Sequence, residues 1–501
     1  MLDTVAKKVL FVLLLVYALR LYVVLFLGLA PDEAHYWYWS QNLQLSYFDH
    51  PPMVAAIMAF FTSIGGDNIV SVRIGGFIIM LLIHVLVFKT TRQLTDHPQG
   101  FAWEVLFTLN LSLLFAAGCI VQTPDTPFIF FWTLALYCGS RIFTGGSPRW
   151  WYLWGLALGL GLLSKYTMIL IVPCTVAFVA LSAPHRYWLR RKEPYLAGLL
   201  AFLCFLPVVY WNWQHAWVSF AMQLNQGFGP RDESALEKIL EYIGGQVGVI
   251  TPLLFISFFY YSLYGFVQSL RKGIASHLYL ALCCWPILIF FGISSLRGEV
   301  AEPNWPAPAY ISGLILATDV FYRRYRQNTF HRRYVYIAAG AALLLNVAVT
   351  VHLVKPFLPL PPRKDNTKQF HGWRELGDTI NAAIAEHPCT QGYFLSADYG
   401  ITTIAPAVFY TGNQYVGLDF FRPEEYTFLR NTDQLKGKNA ILLLNHSGDK
   451  MLDRYRPFFT DVRKIGHNEF NFRGHSLRRL DLDIVLAENY QGGWEPVIEK
   501  R

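Results

Sequence analysis

The chain has 501 residues, of which 54% are hydrophobic, 16% aromatic and only 15% charged, with a formal net charge of +8. Soluble domains carry about 25% charged residues, so the composition excludes an ordinary soluble protein. The basic excess lies in short runs between apolar stretches, RYWLRRK (186–192), LRKG (270–273) and YRRYRQNTFHRRY (322–334). That is the pattern of cytoplasmic membrane loops meeting anionic lipid, not of a nucleic-acid surface.

The first apolar run, 9–30, is too long for a signal-peptide core and lacks a small-residue cleavage site, so it reads as a retained helix. Arg20 falls midway along it; facing lipid there would cost roughly 2.5–3.5 kcal/mol, so it should point into the bundle with partners. Further spans are expected over 69–88, 102–121, 127–143, 150–164, 167–183, 195–211, 242–267, 277–294, 306–321 and 334–355, about eleven in all. With the N-terminus inside, the N-terminal segment and alternate loops carry about sixteen Lys and Arg, whereas the opposite loops carry about four, Lys165, Arg231, Lys238 and Arg297. The positive-inside rule puts the N-terminus in the cytoplasm, and an odd number of spans puts the tail, 356–501, outside.

The outer side carries the unusual sequence. Residues 30–68 open with APDEAHYWYWSQNLQLSYFDHPP. Aromatics at 36, 37 and 39 suggest a short interfacial helix with its rings at headgroup level, and Pro51-Pro52 suggests the start of a second helix. The tail follows the Pro-rich KPFLPLPPRK (355–364). Its β-like runs GYFLSA (392–397), NQYVGL (413–418) and NAILLLNH (439–446) and the helical WRELGDTINAAIAEH (373–387) point to a small α/β domain. Two domains are expected, 1–355 in the membrane and 356–501 as a soluble domain. Six of the seven cysteines, Cys119, Cys138, Cys174, Cys204, Cys283 and Cys284, lie in apolar runs. Only Cys389 lies in the tail, so no disulfide framework is implied.

Two outer carboxylate sites stand out. Asp32 and Glu33 are adjacent, so on a helix they point about 100° apart and one can act while the other orients it; at a helix start they also complement the helix dipole. Asp125 sits in a very short loop between Pro124 and Pro127, which would fix its direction; it also suits a helix N-cap. His50, Lys165 and Arg297 share this side, either as interfacial anchors or as cations for a phosphate. Carboxylates with a few cations suit a reaction that deprotonates a nucleophile and stabilises a phosphate leaving group. Walker, GxGxxG, HExxH and paired CxxC motifs are absent. Glu33, Asp49, His50, Glu299 and Glu302 offer oxygen and nitrogen ligands for a divalent metal, although no spacing demands one.

The order DEAHYW…YFDHPP, then PD, then SK, then PNWPAPAY resembles the membrane glycosyltransferases of the GT-C fold that use polyprenyl-phosphate sugars. The pattern is similar to the lipid A aminoarabinose and rhizobial lipopolysaccharide galacturonosyltransferases, with protein O-mannosyltransferases more distant. The resemblance covers about 9–320 and implies a polytopic helical GT-C fold. It implies Asp32 and Asp125 at the reaction centre, with Asp32 as base, and Lys165 on the donor phosphate. Glu33, Tyr36, Asp49, His50, Arg297, Glu302 and Trp305 would surround the substrates. The aminoarabinose transferases have Glu-Lys-Pro where this chain has Asp49-His50-Pro51, which weakens aminoarabinose as the donor sugar.

The implied activity is inverting transfer of a sugar from a polyprenyl-phosphate donor to an outer-leaflet acceptor, lipid A or lipopolysaccharide core, in the bacterial inner membrane. Another cell-envelope glycan or a protein remains open as acceptor. A lipid-linked saccharide flippase or a membrane-anchored binding protein are the readings from other classes. A flippase would concentrate polar motifs near the midplane, whereas here they gather on one face.

Overall fold

The structure, a computed structural model, describes residues 4–229, 232–298, 302–398, 400–418, 420 and 432–493. Among these, six helices are long and apolar enough to cross a membrane: Ala6–Phe26, Ile69–Leu94, Glu193–Gln214, Pro252–Lys272, Ala275–Arg297 and Thr329–Val354. Two bent pairs raise the number to eight if each is one span. The chain is a polytopic integral membrane protein.

Several expected spans are shorter or broken, each for a local reason. The run 102–121 bends by 79° between Gly100–Asn110 and Leu113–Ile120. A break exposes carbonyls, and here buried side chains take them up. Arg20 donates to the Asn110 side chain at 2.6 Å and to its carbonyl at 3.1 Å, and Asn346 Nδ2 donates to that carbonyl at 3.3 Å. Ser112 then caps the second half through the Leu114 N–H at 3.2 Å. Arg20 is thus fully buried and hydrogen-bonded inside the bundle, as its position demands. The run 242–267 is divided between Ala235–Ile250 and Pro252–Lys272, because Pro252 offers no N–H and Thr251 takes a φ of 76°. The helices Trp150–Leu162 and Ala307–Val320 have 13 and 14 residues; at about 1.5 Å per residue they are about 20 Å long, short of a hydrocarbon core of about 30 Å.

Two compact units are formed, one of Met1–Tyr22, Leu45–Val54 and Gly75–Thr350, the other of Val23–Gln44, Ala55–Ile74 and Val351–Arg501. In the first, Trp150–Leu162 packs closely on Glu193–Gln214 through small residues. A Cβ on Gly155 would fall 2.4 Å from the Ala197 carbonyl oxygen, and one on Gly159 2.6 Å from Cys204 Cβ. Such close backbone approach is the usual adhesive between helices in lipid. It fixes the exit of the helix that leads into Lys165.

In the second unit the tail forms a mixed five-stranded sheet. Its strands are β1 (Tyr393–Ala397), β2 (Val416–Gly417), β3 (Asn439–Leu444), β4 (Phe459–Asn468) and β7 (Leu482–Tyr490), in the order β2-β1-β3-β7-β4. Between β4 and β7, β5 (Asn471–Phe472) and β6 (His475–Ser476) make a small hairpin. β1 is parallel to β2 and β3, while β7 is antiparallel to both β3 and β4. All five residues of β1 are buried, as are the last five of β3, the mark of strands covered on both faces. Phe394, Leu442, Phe459, Val485 and Tyr490 lie in the core. This is the small α/β domain expected from composition.

Candidate active site

In the first unit the sequence-flagged residues draw together around Asp125. This carboxylate opens the helix Asp125–Phe143, where the exposed N–H groups of the first turn favour negative charge. Its Oδ1 accepts from Lys165 Nζ at 2.7 Å and its Oδ2 from Asn304 Nδ2 at 2.8 Å. The Asp125 and Lys165 side chains are only 17% and 9% exposed, so the pair is largely withdrawn from water. Lys165 stands in extended conformation between Trp150–Leu162 and the 3-10 turn Tyr166–Leu170; its N–H bonds to the Gly161 carbonyl at 2.9 Å.

Asn304 comes from PNWPAPAY, and the motif itself is braced. Gln246 donates to the Pro303 carbonyl at 3.3 Å and accepts from the Tyr310 hydroxyl at 2.8 Å. Trp305 is half-buried against Phe291, with ring centroids 5.9 Å apart. Its N–H bonds to the carbonyl of Glu302, whose side chain is exposed.

The YFDHPP segment is tied to the same neighbourhood. The Met53 N–H bonds to the Leu163 carbonyl at 3.0 Å, two residues from Lys165. Tyr166 links Ser219 at 2.8 Å with Ser46 at 3.4 Å, and Gln223 Nε2 donates to the Asp49 carbonyl at 2.7 Å. Asp49 and His50 are half-buried, with the Tyr47 N–H bonded to the His50 carbonyl at 3.1 Å. The helix Val218–Phe228 in turn meets the Arg297 turn, where Ser294 Oγ donates to the Gly227 carbonyl at 2.8 Å. Arg297 is exposed and has no ion-pair or hydrogen-bond partner among the described residues. Asp49, His50, Asp125, Lys165 and the Arg297 turn therefore belong to one connected region.

In the second unit, Asp32 and Glu33 separate cleanly in role on the helix Pro31–Ser40. Glu33 is fully buried. Arg73 grips it with Nε to Oε1 at 2.8 Å and Nη2 to Oε2 at 2.6 Å, while the Ala30 N–H reaches Oε2 at 3.0 Å. Arg73 also donates to the carbonyls of Leu27 and Gly28, each at 2.7 Å. Both Glu33 oxygens are thus committed to holding the corner at which the first helix turns into the second. Asp32 is exposed and has no hydrogen-bond or ion-pair partner among the described residues, which leaves its carboxylate available.

The aromatics of this helix depart from the expectation of rings at headgroup level. Trp37 and Trp39 are fully buried. Trp37 donates to Asp67 Oδ1 at 2.8 Å and meets Phe409 edge-on at 4.8 Å. Tyr36 is half-buried, 5.1 Å from the Trp39 ring. No group of three metal-ligating side chains occurs among the described residues, and Glu299 lies outside them.

Arg73 and Asn304 were not singled out by sequence. Arg73 had a readable signal, a lone cation early in the expected apolar span 69–88, the same logic that marked Arg20. Asn304 gave none beyond its place in a motif.

The fold defined by these elements is GT-C, a polytopic helical bundle with a small α/β tail. The structure matches that of ArnT from Cupriavidus metallidurans bound to undecaprenyl phosphate, with a TM-score of 0.67 over 97% of this chain and 98% of that one, at 14% identity. The apo form of the same protein gives 0.65, over 96% and 97% of the two chains at 15% identity. The family model for dolichyl-phosphate-mannose-protein mannosyltransferases matches residues 49–211. Among curated proteins, the chain is similar to a lipid A galacturonosyltransferase of Rhizobium johnstonii, 26% identical over 297 residues, which cover 59% of this chain and 61% of that protein. It is also similar to the undecaprenyl phosphate-alpha-4-amino-4-deoxy-L-arabinose arabinosyl transferase of Pseudomonas aeruginosa, 28% identical over 195 residues, 36% of this chain and 34% of that one. The matched stretches thus span less than two thirds of either relative's length. The resemblance carried by the loop motifs holds: the chain has the GT-C fold and is similar to polyprenyl-phosphate-sugar glycosyltransferases.

Proposed function

We propose that the chain is an inverting glycosyltransferase that moves a sugar from a polyprenyl-phosphate donor to lipid A or lipopolysaccharide core. The observation that carries this reading is the largely buried Asp125–Lys165 pair, whose carboxylate is held on its other oxygen by Asn304. An ammonium held at the rim of an apolar bundle suits a phosphate whose lipid tail stays in the membrane. It also offers the positive charge that a divalent cation would otherwise supply.

Asp32 is assigned as base. It takes the proton of the acceptor hydroxyl, whose oxygen attacks the anomeric carbon. The bond from that carbon to the phosphate oxygen breaks, and polyprenyl phosphate leaves with the electron pair, its new charge met by Lys165. Asp125 aims Lys165, and Arg297 and His50 serve the donor phosphate or the acceptor. Tyr36, Asp49, Glu302 and Trp305 shape the substrate surface, and Glu33 acts through the corner it holds. The site and the tail face the periplasm from the inner membrane, the N-terminus is cytoplasmic, and the division of labour is catalytic 1–355 and soluble 356–501.

The test is direct. Purified protein in lipid is given a panel of undecaprenyl-phosphate sugars with lipid A, and the acceptor is weighed by mass spectrometry. A mass gain of one sugar, with release of undecaprenyl phosphate, supports the reading and names the sugar. A folded protein that consumes no donor refutes it.

A further inference from the structure

The tail holds a second site, unrelated to the carboxylates above. A cavity of about 990 Å³ opens in it, lined by Arg363, Asn366 and Lys368 from one segment and by His475, Arg478 and Arg479 from another. His371, Trp373, Leu477 and Leu480 are also among the lining residues, and no carboxylate occurs among the described lining residues.

The walls are built rather than incidental. Asp365, fully buried, ties them together. It accepts from the Thr367 N–H at 3.0 Å, the Thr367 hydroxyl at 2.7 Å and His352 Nε2 at 2.9 Å. Arg473, from the hairpin, reaches Asp365 at 3.2 Å and the Leu360 carbonyl at 3.1 Å. Gly372, at φ +86°, lets the chain pass beneath Leu480; a Cβ there would fall 2.5 Å from Leu480 Cδ1. On this frame Arg363, Arg478 and Arg479 are exposed, and their guanidinium groups have no ion-pair or hydrogen-bond partner among the described residues. Lys368 donates to the Arg363 carbonyl. The Nε2 of His371 is buried without a hydrogen-bond partner among them.

We infer that this cleft binds the phosphorylated sugar headgroup of a glycolipid. Guanidinium groups without a side-chain partner, brought to one cleft by two segments of the tail, suit phosphates, which they grip through paired N–H donors. The volume, at the upper end of the range of about 300–1,000 Å³ for small-molecule sites, exceeds the need of a lone phosphate and suits a phosphorylated disaccharide. Leu477, partly exposed, gives a sugar face something apolar to lie on. The identity of the lipid rests on the reading that lipid A or lipopolysaccharide is the acceptor; the charge preference rests on the cleft alone.

The full-length protein in detergent is titrated with bisphosphorylated lipid A, with its dephosphorylated form and with inorganic pyrophosphate. The bisphosphorylated lipid should bind at least about tenfold more tightly than either comparison. The double variant Arg478→Gln/Arg479→Gln, and separately Arg363→Gln on the other segment, should each weaken it about tenfold. Lys450→Glu, exposed elsewhere on the tail, should not. These arginines support no packing, and unchanged thermal unfolding verifies that the variants are folded. Pyrophosphate binding as tightly as the lipid, or arginine variants that match wild type in binding, overturns the inference. Arginine-dependent lipid binding by a protein that transfers no sugar upholds the cleft and defeats the transferase reading instead.

Discussion

Lys165 Nζ stands 2.7 Å from Asp125 Oδ1, and the carboxylate's other oxygen is held by Asn304. Three segments far apart in sequence thereby present one aimed cation. Buried charge of this kind is costly unless paired.

Replacing Lys165 by Met removes the charge that meets the leaving phosphate. Transfer should fall by about 10²–10³ in kcat, as when one preorganised donor to a developing charge is lost. Lys165→Arg should not restore it fully, since a planar guanidinium cannot occupy the place of a compact ammonium against Asp125. Initial rates at saturating donor decide the matter. Rates within threefold of wild type for Lys165→Met would remove this residue from the mechanism.

Glu33 and Arg73 predict a loss of stability rather than a change in chemistry. Both side chains are fully buried, and cutting one partner strands the other's charge at a cost of about 3–5 kcal/mol. Arg73→Met should therefore lower the thermal unfolding temperature in detergent sharply, and Arg73→Met/Glu33→Gln should recover part of it. A single variant as stable as wild type would contradict the corner-holding role.

The tail should lose protection in acid. Burial alone would raise the Asp483 pKa, but bonds from Lys464, Ser447 and His467 outweigh it and hold the carboxyl well below its usual range. A folded pKa below the unfolded value of about 3.9 means that this stabilisation is complete above about pH 4 and is lost as pH falls further. Hydrogen exchange of strands β3 and β7 should accelerate below that point, and Asp483→Asn should flatten the dependence. Exchange that is unaffected by the substitution would count against this network.

The orientation is testable with one exposed tail position. In a Cys389→Ser background, Lys450→Cys should react with an impermeant maleimide in intact spheroplasts. Reaction only after the membrane is opened would place the tail in the cytoplasm.

Much of this was legible in the sequence, for physical reasons. Asp125 and Lys165 showed because charges are scarce in the loops read as outer and prolines flank the acid. Arg20 showed because a mid-membrane charge must find partners. Asp32 and Glu33 were found together, but only packing separates them, since burial against Arg73 is a tertiary fact. Trp37 and Trp39 were misplaced because an aromatic run reads alike at a lipid interface and inside a protein. The break at Thr251 had a signal in Pro252, whereas the bend at Asn110 depends on Arg20 from another helix. β4 escaped notice because its pairing shifts between Lys464 and Gly466 and its burial does not alternate.

Asp32 bears the central claim. Exposed and unpartnered among the described residues, it is assigned the proton of the attacking acceptor. The deciding measurement is consumption of undecaprenyl-phosphate sugar by purified wild type and Asp32→Asn side by side, with lipid A present and donor binding measured separately. The account predicts that Asp32→Asn binds donor as wild type does yet loses at least about 10²-fold in rate. Equal rates for the two proteins would contradict it.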